Sequence, residues 1–160
     1  MSKLQELAAT VEERLHAVFD KDGYTIPVWF LEGMESGEEG FVIATPFQDK
    51  EAKEAVASNM KDFIKEKNIV RFLTVLEMWY LSGDRNTIVD TSIPPSKHPD
   101  RKEGVLIYGE DRDTHEMIAK LLRIDRSEGK PRLVPDKEVK DCEAYGTFTN
   151  MFQHPKPNLH

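Results

Sequence analysis

HEMIAKLLRIDR, residues 115–126, decides the fold, because it can be read in two ways. Met117, Ile118, Leu121 and Leu122 recur at helical spacing, and Asp113 with Glu116 fits a capping box. Yet DRDT, residues 111–114, is turn chemistry, and it lies between this run and the apolar VLIYGE of residues 105–110. A turn between two apolar runs makes a hairpin. Periodicity alone slightly favours the helix. As a helix the run ends the sheet, and as a strand it extends it.

Upstream the signals are firmer. IVRFLTVLEMWYL, residues 69–81, is the most apolar stretch and is nearly continuous in β-formers, so it reads as a central strand covered on both faces. Leu4, Leu7, Ala8, Val11, Leu15 and Val18 repeat at three and four residues, which predicts an amphipathic first helix stopped at Asp20–Gly23. YTIPVWFL, residues 24–31, reads as a strand, and Pro27 places it at a sheet edge because proline cannot donate to a ladder. The loop EGMESGEEG leads to a returning strand, FVIAT, residues 41–45. Thr45-Pro46-Phe47-Gln48 then carries a helix-start signature for a second helix that ends near Asn68. After a long loop from Ser82 to about Glu103 and the run in question, Leu133 and Val134 could add a short strand. Lys137–Tyr145 could form a short helix.

Composition removes several function classes. The chain has 160 residues, a length that predicts one domain over residues 1–150 with an extended or frayed tail over 151–160. Net charge is −7, which argues against broad duplex nucleic-acid binding, since that needs lysine and arginine on phosphates. The charged N-terminus is not a secretion signal, and no run of eighteen apolar residues predicts a membrane span. The single Cys142 cannot form an internal disulfide, so the expected compartment is the cytoplasm. Flanked by Asp141 and Glu143, its thiolate is disfavoured.

One stretch has a likeness. VLEMW at residues 75–79, PPSKHPDRKE at 94–103, GEDRD at 109–113 and RIDR at 123–126 resemble a loose group of uncharacterised α+β proteins of bacteria and their phages. In that group an "EaW" strand precedes an "S-x-H-P-D-R-x-E" loop and an "EDrdG" hairpin. The likeness covers about a third of the chain and implies a strand at residues 115–126, the reading adopted here. Thr114 and His115 stand where the group usually shows glycines, which keeps the helix open. No activity comes with the resemblance.

The chemistry-bearing residues gather around the proline-rich loop. His98, Asp100, Arg101 and Glu103 share it, and Glu110 and Asp111 follow at the far end of the next strand. An imidazole with carboxylates could bind a divalent ion or do acid–base work. Zinc-site spacing is missing, however: there is no CxxC and no second histidine three to five residues away. The bland reading is a brace in which Pro94, Pro95 and Pro99 stiffen the loop and Arg101 pins it. Glu77 and Trp79 share one face of the apolar strand, and a carboxylate there is costly unless paired. Glu77 is then either a general base or the ion-pair partner of Arg101, Arg71 or Arg123. The order of elements loosely resembles that of cytidine deaminases, but their H-x-E and P-C-x-x-C motifs are missing.

The sequence therefore predicts a single two-layer α+β domain, ordered α-β-β-α-β-β-β. Two N-terminal helices pack on one face of a mostly antiparallel sheet of about five strands. The expected function is a non-enzymatic protein-interaction module without cofactor or metal, binding an unidentified protein or forming a homodimer through a sheet edge or its apolar tail. The alternative is a metal-assisted hydrolase or nucleotide-binding enzyme that uses His98, Asp100, Glu103, Glu110 and Asp111 and requires them to converge.

Overall fold

A computed structural model describes residues 1–33, 40–81, 97–136, 148 and 151–152. Helix α1 spans Lys3–Asp22. Its start is a full capping box: Ser2 Oγ accepts the Gln5 N–H at 3.1 Å, and Gln5 Oε1 accepts the Ser2 N–H at 2.9 Å. Its end is Gly23 in the left-handed region at φ 75°, which satisfies a terminal carbonyl at no steric cost. Strands β1 (Val28–Gly33) and β2 (Gly40–Ala44) follow, then helix α2 (Lys50–Glu66). Four further strands complete the chain: β3 (Ile69–Tyr80), β4 (Lys102–Asp111), β5 (Met117–Asp125) and β6 (Arg132–Pro135).

All six strands form one antiparallel sheet in the order β2-β1-β3-β4-β5-β6. The deciding stretch is a strand. His115 supplies the turn by taking φ 59°, a left-handed backbone conformation that glycine meets more cheaply. Asp111 organises the same turn, its Oδ1 accepting the N–H groups of Asp113 and Thr114 at 2.9 and 3.1 Å.

Three expectations need correction. The helices do not share a face. Leu73, Val75, Val105 and Ile107 pack with Leu4, Val11, Leu15 and Phe19 of α1, whereas Trp29, Phe72 and Tyr108 pack with Ala57, Met60 and Ile64 of α2. Alternate strand side chains point to opposite faces, so the domain has three layers with the sheet in the middle. Strand β1 is not an edge either. Pro27 lies just before it, where its missing N–H costs nothing and its carbonyl accepts Thr45 N–H at 2.9 Å; the edge is β2. Finally, α2 is capped by Asp49, whose Oδ1 accepts Ala52 N–H at 2.7 Å, and not by Thr45. An unshared carboxylate is the better cap, and Thr45 Oγ1 is buried away from any partner among the described residues.

The core on the α2 side is aromatic. Trp29 lies 5.1 Å from Phe72 and 5.2 Å from Phe148 between ring centres, and Phe41 meets Phe63 edge-on at 5.2 Å. Met151 is buried and Phe152 packs on Phe72, so the core takes in two residues past the boundary drawn at 150. The expected helix at Lys137–Tyr145, and Cys142 within it, lie outside the described residues.

Candidate functional site

The structure separates the residues that the enzyme reading requires to meet. His98 to Arg101 form a tight turn: His98 Nδ1 accepts the Asp100 N–H at 3.1 Å, and the His98 carbonyl accepts both the N–H and the Nη1 of Arg101 at 3.2 Å. Glu103 accepts a hydrogen bond from Arg126 Nε. Glu110 and Asp111 lie seven or more residues further along β4, about 23 Å away at about 3.3 Å per residue. They also point to opposite faces. Among the described residues no three His, Cys, Asp or Glu gather closely enough to hold a metal ion. The five residues named for a metal-assisted site therefore do not converge.

The loop is tied to the central strand, but not by the ion pair considered for Glu77 and Arg101. The Arg101 guanidinium lies 4.8 Å from the centre of the Trp79 ring, a cation–π contact at a half-exposed surface. Glu77 is exposed and accepts the Thr25 N–H at 3.0 Å, joining β3 to the segment ahead of β1. Pro94 and Pro95 fall outside the described residues. A shallow depression of about 510 Å³ surrounds Trp79, Pro99, Arg101, Glu103 and Arg126. Its lining is net positive: Arg101, Lys102, Arg123 and Arg126 meet one lining carboxylate, Glu103, which bonds Arg126, while Lys102 reaches Asp136.

Two acidic residues turn out to be structural anchors. Asp111 is 3% exposed, and its Oδ2 accepts Arg71 Nε at 3.2 Å. Arg71 also reaches Glu32, so one guanidinium crosses β1, β3 and β4. Burial alone would raise the Asp111 carboxyl, but the hydrogen bonds from Thr114, Arg71 and Asp113 outweigh it and hold the group below the usual range. Burial likewise works to lower Arg71, and its two carboxylate partners raise it instead. Glu110 is fully buried on the other face, bonded by the Tyr108 hydroxyl. An arginine inside IVRFLTVL was the sequence signal for the first anchor.

The surface feature that composition did not reveal lies beside α1. That helix lies mainly over β3, β4 and β6, and Val28 and Phe30 of β1 are only partly buried against it. A groove of about 380 Å³ results, lined by Val18, Tyr24, Ile26, Val28 and Phe30. Tyr24 is 58% exposed and Ile26 47%. Val42 continues the strip: it lies opposite Phe30 in register and is 61% exposed on the edge strand. No described helix is long and apolar enough to cross a membrane, so this strip is not part of a helical span. No family model matches the chain, and no curated protein or solved structure matches it either.

Proposed function

We propose that the protein is a non-enzymatic interaction module, a small acidic accessory protein of the bacterial or phage cytoplasm, that pairs with a second copy of itself through β2. The observation that carries this reading is the character of that edge. Gly40-Phe41-Val42-Ile43-Ala44 contains no charge, no proline and no described bulge, the devices that normally guard an edge strand against pairing. Its unpaired backbone groups are a template for another strand.

The strand is self-complementary about Val42, its middle residue. A two-fold axis there pairs Gly40 with Ala44 of the second copy and Phe41 with Ile43. Both faces stay apolar and no like charges meet, which matters in a chain of net charge −7. The strip of Phe30 and Val42 then runs unbroken across the joint.

Sedimentation velocity over a concentration series tests the reading. Wild type is expected to sediment as a concentration-dependent dimer and Val42→Lys as a monomer, since the lysine places like charges at the axis. A wild-type protein that remains monomeric throughout the series overturns it.

A further inference from the structure

The α2 face carries a second feature, independent of the β2 edge. Trp29, Thr74 and Tyr108 stand side by side in one cross-strand row, with Glu110 next to Tyr108 along β4. Over this row lies the chain's own C-terminal segment. Phe148 sets its ring edge-on against Trp29 at 5.2 Å and against Phe47 at 6.0 Å, while Phe152 lies 5.5 Å from Phe72. Phe148 and Met151 are buried. The polar hold on the segment includes Glu110: its carboxylate accepts the backbone N–H of Met151 at 3.2 Å and of Phe152 at 3.4 Å.

Two properties mark this part of the core as a socket with a peptide segment in it. First, a fully buried carboxylate is held by a hydroxyl and two consecutive peptide N–H groups, with no cation among the described residues. Any peptide in the same turn presents those N–H groups, so the anchor reads backbone while the aromatic walls read side chains. Second, the wall that Phe148 packs on holds a spare donor. Trp29 Nε1 is buried without a partner among the described residues. Buried polar groups are normally satisfied, so this N–H is a donor that an incoming peptide's carbonyl could take.

We infer that this face is a peptide-binding site for the pattern Phe-x-x-Met-Phe, filled in cis by Phe148, Met151 and Phe152 and open in trans to a peptide of the same pattern. The recognising chemistry is two adjacent peptide N–H groups for Glu110, and aromatic and thioether side chains for Trp29, Phe47 and Phe72. The cis segment competes with any incoming peptide, so the site's apparent affinity is reduced by the fraction of time it is occupied.

The test uses the full chain and a fluorescein-labelled peptide of residues 146–154, GTFTNMFQH, read by fluorescence anisotropy. Saturable binding is expected, and a full chain carrying Phe148→Ser and Met151→Ser should bind about tenfold more tightly, because its own segment competes less. Far-UV circular dichroism establishes that this variant is folded. Wild type gives a second reading by hydrogen exchange: excess unlabelled peptide should speed exchange at the Met151 and Phe152 amides and leave those of β3 and β4 unchanged. No saturable binding to a folded variant overturns the proposal. So does equal binding of a scrambled peptide, or exchange at Met151 and Phe152 that excess peptide does not alter.

Discussion

Replacing Asp111 by Asn isolates the anchor that crosses three strands. The substitution keeps shape and leaves an amide oxygen for the Asp113 and Thr114 N–H groups, but it removes the charge facing Arg71. A hydrogen bond to a charged partner is worth about 1.5–3 kcal/mol. Arg71 is not left unpaired, because Glu32 still holds its Nη1, so the larger penalty for an orphaned buried charge does not apply. The expected cost is therefore about 2–3 kcal/mol at pH 7. With a urea dependence of about 2 kcal/mol per molar, the midpoint falls by about 1–1.5 M, followed by fluorescence of the buried Trp29. The pH dependence supplies a sharper check. The folded Asp111 carboxyl lies below its unfolded value of 3.8, so its contribution is present above that value and is lost as pH falls through the folded one. The gap between wild type and Asp111→Asn should be full at pH 5–7 and close as the pH falls below about 4. A cost under about 0.5 kcal/mol at pH 7, the level of an ordinary surface change, would refute the reasoning, as would a gap that does not narrow in acid.

Other expectations can be measured alongside it. A Cβ at Gly109 would press into Leu73 Cδ2 and the Phe72 carbonyl oxygen, and backbone cannot step aside, so Gly109→Ala should cost about 3 kcal/mol in urea melts. Less than about 1 kcal/mol would show that the strands part more easily than their packing indicates. A double-mutant cycle on Trp79→Ala and Arg101→Ala should return a coupling of about 0.5–1 kcal/mol, the range of an exposed cation–π pair, and zero coupling would remove the contact that ties the loop to β3. Thermal-shift assays with magnesium, manganese and zinc should give no rise in melting temperature, because His98, Asp100 and Glu103 do not meet Glu110 and Asp111. A rise of several degrees that His98→Ala abolishes would restore the metal reading.

Much of the fold was legible because single residues carry it. The β-branched run from Ile69 specifies β3, and the apolar spacing from Leu4 to Val18 with the stop at Asp20–Gly23 marks α1. The run at 115–126 was not decidable by periodicity, since Met117, Ile118, Leu121 and Leu122 suit a helix as well as a strand packed partly against α1. The face of the second helix was implied by a feature already in hand: a strand apolar on both sides needs a layer on each side, which excludes two helices on one face. What stayed hidden depends on distance in space. Nothing local in Glu110 announces that Met151 and Phe152, more than forty residues later, supply its donors. For the same reason His98, Asp100 and Glu103 do not meet Glu110 and Asp111, which lie a strand's length away.

The two borders of the sheet are unlike. Strand β6 has only four residues, runs between Pro131 and Pro135, and carries Arg132 in ion pairs with Asp125 and Glu128. Such a border resists extension, whereas β2 invites it. Joining at β2 about a two-fold axis consumes both inviting borders at once and leaves two proline-flanked ones outermost. An assembly joined in the proposed way would end at two chains and twelve strands, six from each, so that an adhesive edge would not seed a fibre.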